Sequence, residues 1–378
     1  PPPTTTPDYI RRQRQMCIRD SVFPAIMIFM SLLFFIAEVN AGDCIVIGEK
    51  NDASSMGIPD SAVDTNTVPQ FIIDADAGVD QPLPVYKLTH NSYMLFGNIS
   101  TLNQDNRGFN ANAGFIVTSQ GVVVIDALGT PLLAQRMLAS IRCITDKPVK
   151  YLIVTHNHPD HAYGAVAFRN IEGITIIAHP GTVEYNQSET LESSVAYRRQ
   201  MLEKDMTGFE PLQADIYLDE KPFASKRIRL GDEVIDIYNT GEHHSYGDLV
   251  VHQAGQKILW ISDLAFNQRT TYLGDGDTAQ VLKVQDWLLQ TFPDTQLMVP
   301  GHGSAQTAPF PMVANTRDYV SRMRSAMQQA VDDGISMLDA VQSVEFEDWQ
   351  DVPLYEQNQR ANANFIYREM EKAYFDDF

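Results

Sequence analysis

Short apolar runs broken by polar punctuation dominate the chain from residue 85 onward. Runs at 85–89, 92–96, 114–118 and 122–126 are rich in β-branched and aromatic residues, which predicts strands. Ser119-Gln120-Gly121 separates the last two as a tight hairpin turn. Between 130 and 142 the period changes, because Leu132, Leu133, Met137, Leu138 and Ile141 recur at helical spacing. A strand is expected at 149–154, the start of a helix at 162–169 and another strand at 174–178. Residues 180–222 follow no dominant period; Tyr197, Met201, Met206 and Phe209 suit either a wall over a pocket or the apolar face of a surface helix. Strands return at 226–230, 234–238, 249–252, 258–261 and 296–299. Helical spacing then runs through 313–333, 336–343 and 354–374, with Gly334 as a stop between the first two. No internal repeat is visible.

Composition narrows the class. A chain of 378 residues with 44% hydrophobic and 20% charged residues can bury a full core. Its net charge of −20 argues against a nucleic-acid backbone as partner and suits a small-molecule substrate. The first 43 residues stand apart. Arg11, Arg12, Arg14 and Arg19 precede an apolar run from Val22 to Ile36, and Val39-Asn40-Ala41 follows with small residues where a signal peptidase reads. This predicts a secretory leader over 1–43, cleaved after Ala41, and a periplasmic or secreted protein with no membrane insertion once the leader is gone. The apolar run is short for a membrane span. Residues 1–21 begin without Met and are set aside from the fold. Residues 44–84 are rich in Asp, Ser, Gly and Pro and read as an arm or linker. Cys44 falls in that arm and Cys143 at the end of a helical pattern, so a buried free thiol rather than a disulfide is expected.

The chemistry concentrates in His156-Asn157-His158-Pro159-Asp160-His161, directly after the 149–154 strand. Nine histidines serve the whole chain, and three lie within these six positions. His156 and His158 are two apart, so on extended backbone their imidazoles project the same way. Pro159 disfavours helix at His158 and predicts a loop. Three imidazoles and a carboxylate exceed what one open tetrahedral zinc takes from protein, and suit two adjacent metals.

Thr155 to His161 resembles the His-x-His-x-Asp-His signature of the metallo-β-lactamase-fold metallohydrolases, and the similarity runs from about Val85 to His302. The resemblance implies an α/β fold: a four-layer αβ/βα sandwich over 85–310 with metals at one edge between two sheets, here with a C-terminal helical extension over 311–378. It also supplies the remaining ligands. Glu242-His243-His244-Ser245-Tyr246-Gly247-Asp248 resembles the family's His, hydroxyl residue and Gly-Asp stretch, which selects His244 over His243. Asp263, at the end of an apolar strand, resembles the family's metal-bridging Asp, and Gly301-His302-Gly303 its closing loop. The implied arrangement gives one metal His156, His158 and His244, and the other Asp160, His161 and His302, with Asp263 and a hydroxide between them. His90, His179 and His252 match no ligand position.

Hydrolysis is the implied reaction, with two zinc ions expected and iron or manganese as alternatives. Asp160 would orient the attacking hydroxide, and the bond cleaved would be an ester, thioester, lactone or amide type. Family lactamases generally carry Cys or Ser where this chain has Asp263, which points toward thioesterase- and lactonase-type relatives. A β-lactamase is the alternative that export favours. Exported relatives associated with sulfur oxidation or quinoprotein systems are also similar. A second alternative is a mononuclear-iron enzyme of the same fold that oxidises sulfur compounds. Arg317, Arg322, Arg324, Arg360 and Arg368 occur where some thioesterase relatives read their substrate, but on helices they are expected to be solvated.

Overall fold

Alternation along the strands sets the layers of this molecule. The computed structural model describes residues 44–47 and 71–376, so the leader and most of the 44–84 arm lie outside the described residues. One sheet holds β1 (Val46–Ile47), β2 (Val85–Lys87), β3 (Ser92–Leu95), β4 (Ala113–Thr118), β5 (Gly121–Ile125), β6 (Val149–Ile153), β7 (Thr175–Ala178) and β8 (Ile216–Tyr217), side by side in chain order. The other holds β9 (Ser225–Leu230), β10 (Glu233–Gly241), β11 (Asp248–Gln253), β12 (Ile258–Ser262), β13 (Leu297–Pro300) and β14 (Gln306–Thr307), again in order. The helices are α1 (Pro131–Ile144), α2 (Pro159–Ala162), α3 (Thr182–Tyr185), α4 (Glu189–Met201), α5 (Thr278–Thr291), α6 (Pro311–Asp332), α7 (Met337–Ser343) and α8 (Tyr355–Asp376).

Successive strand residues face opposite ways, and each face finds its own core. Phe115, Val122 and Val124 pack outward with Leu133, Met137 and Ile141 of α1. Ile116, Val123 and Ile125 pack inward against Ile237, Val251 and Trp260 of the second sheet. On that sheet's far side Val250, Leu259 and Ile261 meet Val284 and Leu288 of α5. The result is the four-layer αβ/βα sandwich. Each such side chain contributes about 2 kcal/mol on burial, so the cores rather than the polar edge hold the layers together.

The C-terminal helices form a further apolar cluster, with Tyr319, Met323 and Met327 of α6 against Ala363, Ile366 and Met370 of α8. Arg317, Arg322 and Arg324 pair there with Asp286, Asp348 and Glu369 respectively, and their charge is spent on helix-to-helix contacts. Residues 180–222 carry α3 and α4, which with Met206 and Phe209 pack on the outer core of the first sheet.

Three local expectations change. Helix α5 occupies a stretch for which none was expected, although Val281, Val284 and Leu288 make a helical stripe and the Asp277 side chain caps its first turn. The 162–169 helix is instead the end of α2 followed by a 3-10 turn at Ala165–Phe168. Cys44 and Cys143 form a disulfide, with Cα atoms 5.9 Å apart. The buried stripe of α1 is Leu133, Met137 and Ile141. Cys143 lies two residues beyond Ile141, just over half a turn round the helix. It is therefore exposed and free to reach Cys44, whose neighbours Val46 and Ile47 pair with Val85 and Tyr86 of β2.

Candidate metal centre

Strand ends deliver the polar groups to one edge. The parallel pair β5–β6 ends in Asp126 and in Thr155-His156, and the parallel pair β12–β13 ends in Ser262-Asp263 and in Gly301-His302. His244 precedes β11. His158 is the extended N-cap of α2, at φ −61° and ψ 147°, and Pro159 occupies the first helical position. The expected loop is thus half right. Proline excludes helix from His158 but suits the start of one, so Asp160 and His161 lie in a short helical turn.

These residues fall into two groups, His156, His158, His244 and Asp263 in one and Asp160, His161 and His302 in the other. Within each group one ligand-capable atom per residue lies within 4.8 Å of all the rest. Asp263 touches both. Its Oδ2 is 3.1 Å from His244 Nε2 and 3.3 Å from His302 Nε2, and its Oδ1 is 3.4 Å from His161 Nε2. His156 Nε2, His161 Nε2, both ring nitrogens of His244 and Asp263 Oδ1 are buried without a hydrogen-bond partner. Four of these, all but His244 Nδ1, face one another around Asp263, which would be costly in a purely structural cluster. A cation bound among them would satisfy all of these except His244 Nδ1, which lies on the far side of its ring from Nε2, and imidazole with carboxylate is a donor set that zinc takes.

His243 has another task, since its Nε2 is 3.1 Å from Thr240 Oγ1. His179 bonds Asn239 and His252 packs on Phe292, while His90 is exposed. None of the four joins either group.

A surrounding layer that the motif did not reveal orients the rings. Asp126 Oδ2 accepts from His161 Nδ1 at 2.8 Å, and both Asp126 oxygens hold Thr155. Ser262 Oγ and Thr155 Oγ1 each lie 3.2 Å from His156 Nδ1. Asp275 Oδ2 accepts from His158 Nε2 at 3.0 Å. Such bonds fix which nitrogen faces a metal. Asn110 donates to Asp160 Oδ2 at 2.9 Å, and its carbonyl accepts from His302 Nδ1 at 2.7 Å. Asp126 and Ser262 hold left-handed backbone, at φ 61° and 46°, a strain that the surrounding bonds sustain. The sequence did carry a sign of Asp126: Val-Val-Val-Ile-Asp repeats the apolar-strand-then-Asp pattern that marks Asp263.

Charge within the cluster is balanced by position. Burial opposes the ionised form of Asp160, but His161, His302 and Arg198 outweigh it and hold the carboxyl well below its ordinary value. Burial likewise opposes the charged form of His161, yet Asp263 and Asp126 overcome it and push its pKa up to about 9. To bind a cation through Nε2, His161 must lose that proton. Metal and proton therefore compete below pH 9, and uptake should weaken as pH falls. Zinc titrations of metal-depleted protein between pH 6 and 9 are expected to show apparent affinity dropping by up to about tenfold per unit. A flat profile would remove His161 from the ligand set.

Residues 106–302 match the family described as the metallo-beta-lactamase superfamily. The chain belongs to that superfamily. Its members are metal-dependent hydrolases, and this chain is one of them. Among curated proteins of the superfamily, metallo-beta-lactamase IND-1 of Chryseobacterium indologenes is 26% identical over 197 residues, covering 51% of this chain and 72% of that protein. A linear primary-alkylsulfatase of Pseudomonas sp. is 34% identical over 80 residues, covering 21% of this chain and 14% of that protein. Among solved structures, the stereoselective inverting sec-alkylsulfatase Pisa1 from Pseudomonas sp. matches with a TM-score of 0.60 at 17% identity, over 82% of this chain and 54% of that one. The superfamily fold expected from the His-rich motif is thereby found.

Proposed function

We propose that this chain is an exported hydrolase that holds two zinc ions and cleaves an ester, thioester, lactone or amide-type bond in a small molecule. The observation that carries the reading is the pair of side-chain groups joined at Asp263, with buried, unpartnered ligand atoms turned toward it. His156, His158 and His244 would hold one ion and Asp160, His161 and His302 the other, with Asp263 serving both. When bound, two such cations make a water acidic near neutral pH and polarise the oxygen of the scissile bond. Asp160 is too acidic to keep a proton, so it orients the attacking water as an acceptor, itself held by Asn110 Nδ2. Arg269 is part-exposed with Nη1 3.0 Å from His302 Nδ1, and it pairs with no carboxylate among the described residues. It offers a positive charge to an anionic group on the substrate. The disulfide supports an oxidising compartment, as the leader implies.

The hard, charged oxygens of Asp263 favour ester-class substrates over β-lactams. A sulfate ester is a second reading, supported by the alkylsulfatase relative and by the alkylsulfatase structure whose match spans 82% of this chain. The test is metal analysis followed by a substrate panel on the full chain. Two zinc ions and faster turnover of lactones, thioesters or alkyl sulfates than of a chromogenic β-lactam are expected. Efficient β-lactam cleavage with the others ignored would overturn the substrate argument. One iron per chain with oxygen uptake would overturn hydrolysis.

A further inference from the structure

The segment joining β12 to α5 touches both halves of the metal centre. Near its start the Phe266 ring stacks on His302, with centroids 5.4 Å apart and planes at 9°. Near its end Asp275 accepts from His158 Nε2 at 3.0 Å. Between these points it forms no helix or strand, so its buried backbone groups must find partners elsewhere.

They find them on α8 and on the turn that leads into it. Thr270 N–H donates to the Pro353 carbonyl at 2.8 Å. Asn358 Nδ2 donates to the carbonyls of Thr270 and Thr271 at 3.0 and 3.2 Å. Asn362 is fully buried and uses both ends of its amide. Its Oδ1 accepts from Leu273 N–H at 2.9 Å, and its Nδ2 donates to Thr271 O at 2.9 Å and to Tyr319 Oη at 3.0 Å. The side chain acts on 271–273 as a neighbouring strand would. Leu273 itself sits in the apolar cluster of α6 and α8. The amide therefore fixes the backbone two residues before Asp275.

We propose that Asn362, assisted by Asn358, is a positioning residue of the metal centre, through which α8 sets the place of Asp275 and so the orientation of the His158 ring. The inference rests on the reading of His158 as a ligand. With Asp275 engaged at Nε2, Nδ1 of His158 is the nitrogen left for a cation. The His302 end of the segment is tied differently, by Phe266 N–H to Thr316 Oγ1 at 3.1 Å and by Asn267 Nδ2 to Ser304 at 2.9 Å. Loosening the Asn362 end should therefore harm one metal site and spare the other. The C-terminal helices, which contribute no ligand, become part of what makes the centre work.

The test is a calorimetric zinc titration of metal-depleted full-length protein, with thermal unfolding recorded alongside. Asn362→Leu is expected to weaken one of two stepwise affinities by about 10–100-fold, the range of lost supporting bonds, while the other stays within about threefold. Asp275→Asn should weaken the same step, and the double variant should lose no more than the larger single loss, because both act through one contact. Should Asn362→Leu fail to fold, Asn358→Ala removes only the two bonds to Thr270 and Thr271 and carries the same comparison at smaller amplitude. A lower unfolding temperature with both affinities intact would overturn the inference, as would losses that multiply in the double variant. A wild-type chain that takes up no stoichiometric metal would overturn the reading of the centre itself, and the inference with it.

Discussion

Asp263→Ala is expected to empty both metal groups and lower turnover by more than about 100-fold, beyond what loss of a supporting bond costs. Among the described residues this carboxylate alone reaches both sets of imidazoles, at 3.1 Å from His244, 3.3 Å from His302 and 3.4 Å from His161. Burial disfavours its charge, yet His302, His161 and His244 hold its pKa well below the ordinary value, so it remains an anion. Without it, five buried imidazoles face one another with only Asp160 left among the ligand-capable carboxylates. Two cations placed there would repel each other with far less compensation. Asp263→Asn keeps the shape and removes the charge, and should lose metal nearly as fully. Metal content measured on folded protein decides the matter. Two ions retained in either variant would show that the groups are independent sites.

Gly301→Ala should produce nearly the same defect without altering a ligand. A methyl at this position would stand 1.8 Å from Asp263 Oδ1 and 2.9 Å from His161 Cε1, closer than any real contact. The backbone cannot retreat, because Gly301 N–H donates to Ser262 O at 2.8 Å and its carbonyl accepts from Asn112 N–H at 2.7 Å. Asn112 Nδ2 binds the flanking carbonyls of Pro300 and Gly303 as well. The carboxylate must therefore swing away, and it takes its contact to both groups with it. Metal affinity is expected to fall by about 100-fold or more at both groups, with only a modest drop in unfolding temperature. Full occupancy and normal activity would mean that this strand end is softer than its hydrogen bonds indicate.

Much of this was legible in the sequence because strands and ligands write themselves locally. Alternating runs such as Phe115–Val124 declare two buried faces, and the strand positions follow from them. His156 to His161 is contiguous, so its chemistry could be read without knowing the fold. His244, Asp263 and His302 are distant in sequence, and only resemblance to a family linked them to the same edge. The supporting residues were hidden for a different reason. Asp126 looks like any strand terminus, Asp275 like any loop acid, and Asn362 like any polar residue on a helix; each matters through a partner 35 to 117 positions away. Cys143 has apolar neighbours that suggest burial, but the phase of the helix turns it outward in the last turn.

That same bond between Cys44 and Cys143 has a consequence for how the molecule behaves among its own copies. The first sheet ends at β1, a strand of two residues, too short to hold its place by backbone pairing alone. Its attachment to α1 keeps it over the flank of β2, where the outward row of amide and carbonyl groups would otherwise invite a strand from another molecule. Reduction would turn this cover into a loose tether. Colloidal behaviour is thus tied to the redox state of the surroundings, and material made in a reducing cytosol would be prone to join edge to edge whatever its metal content.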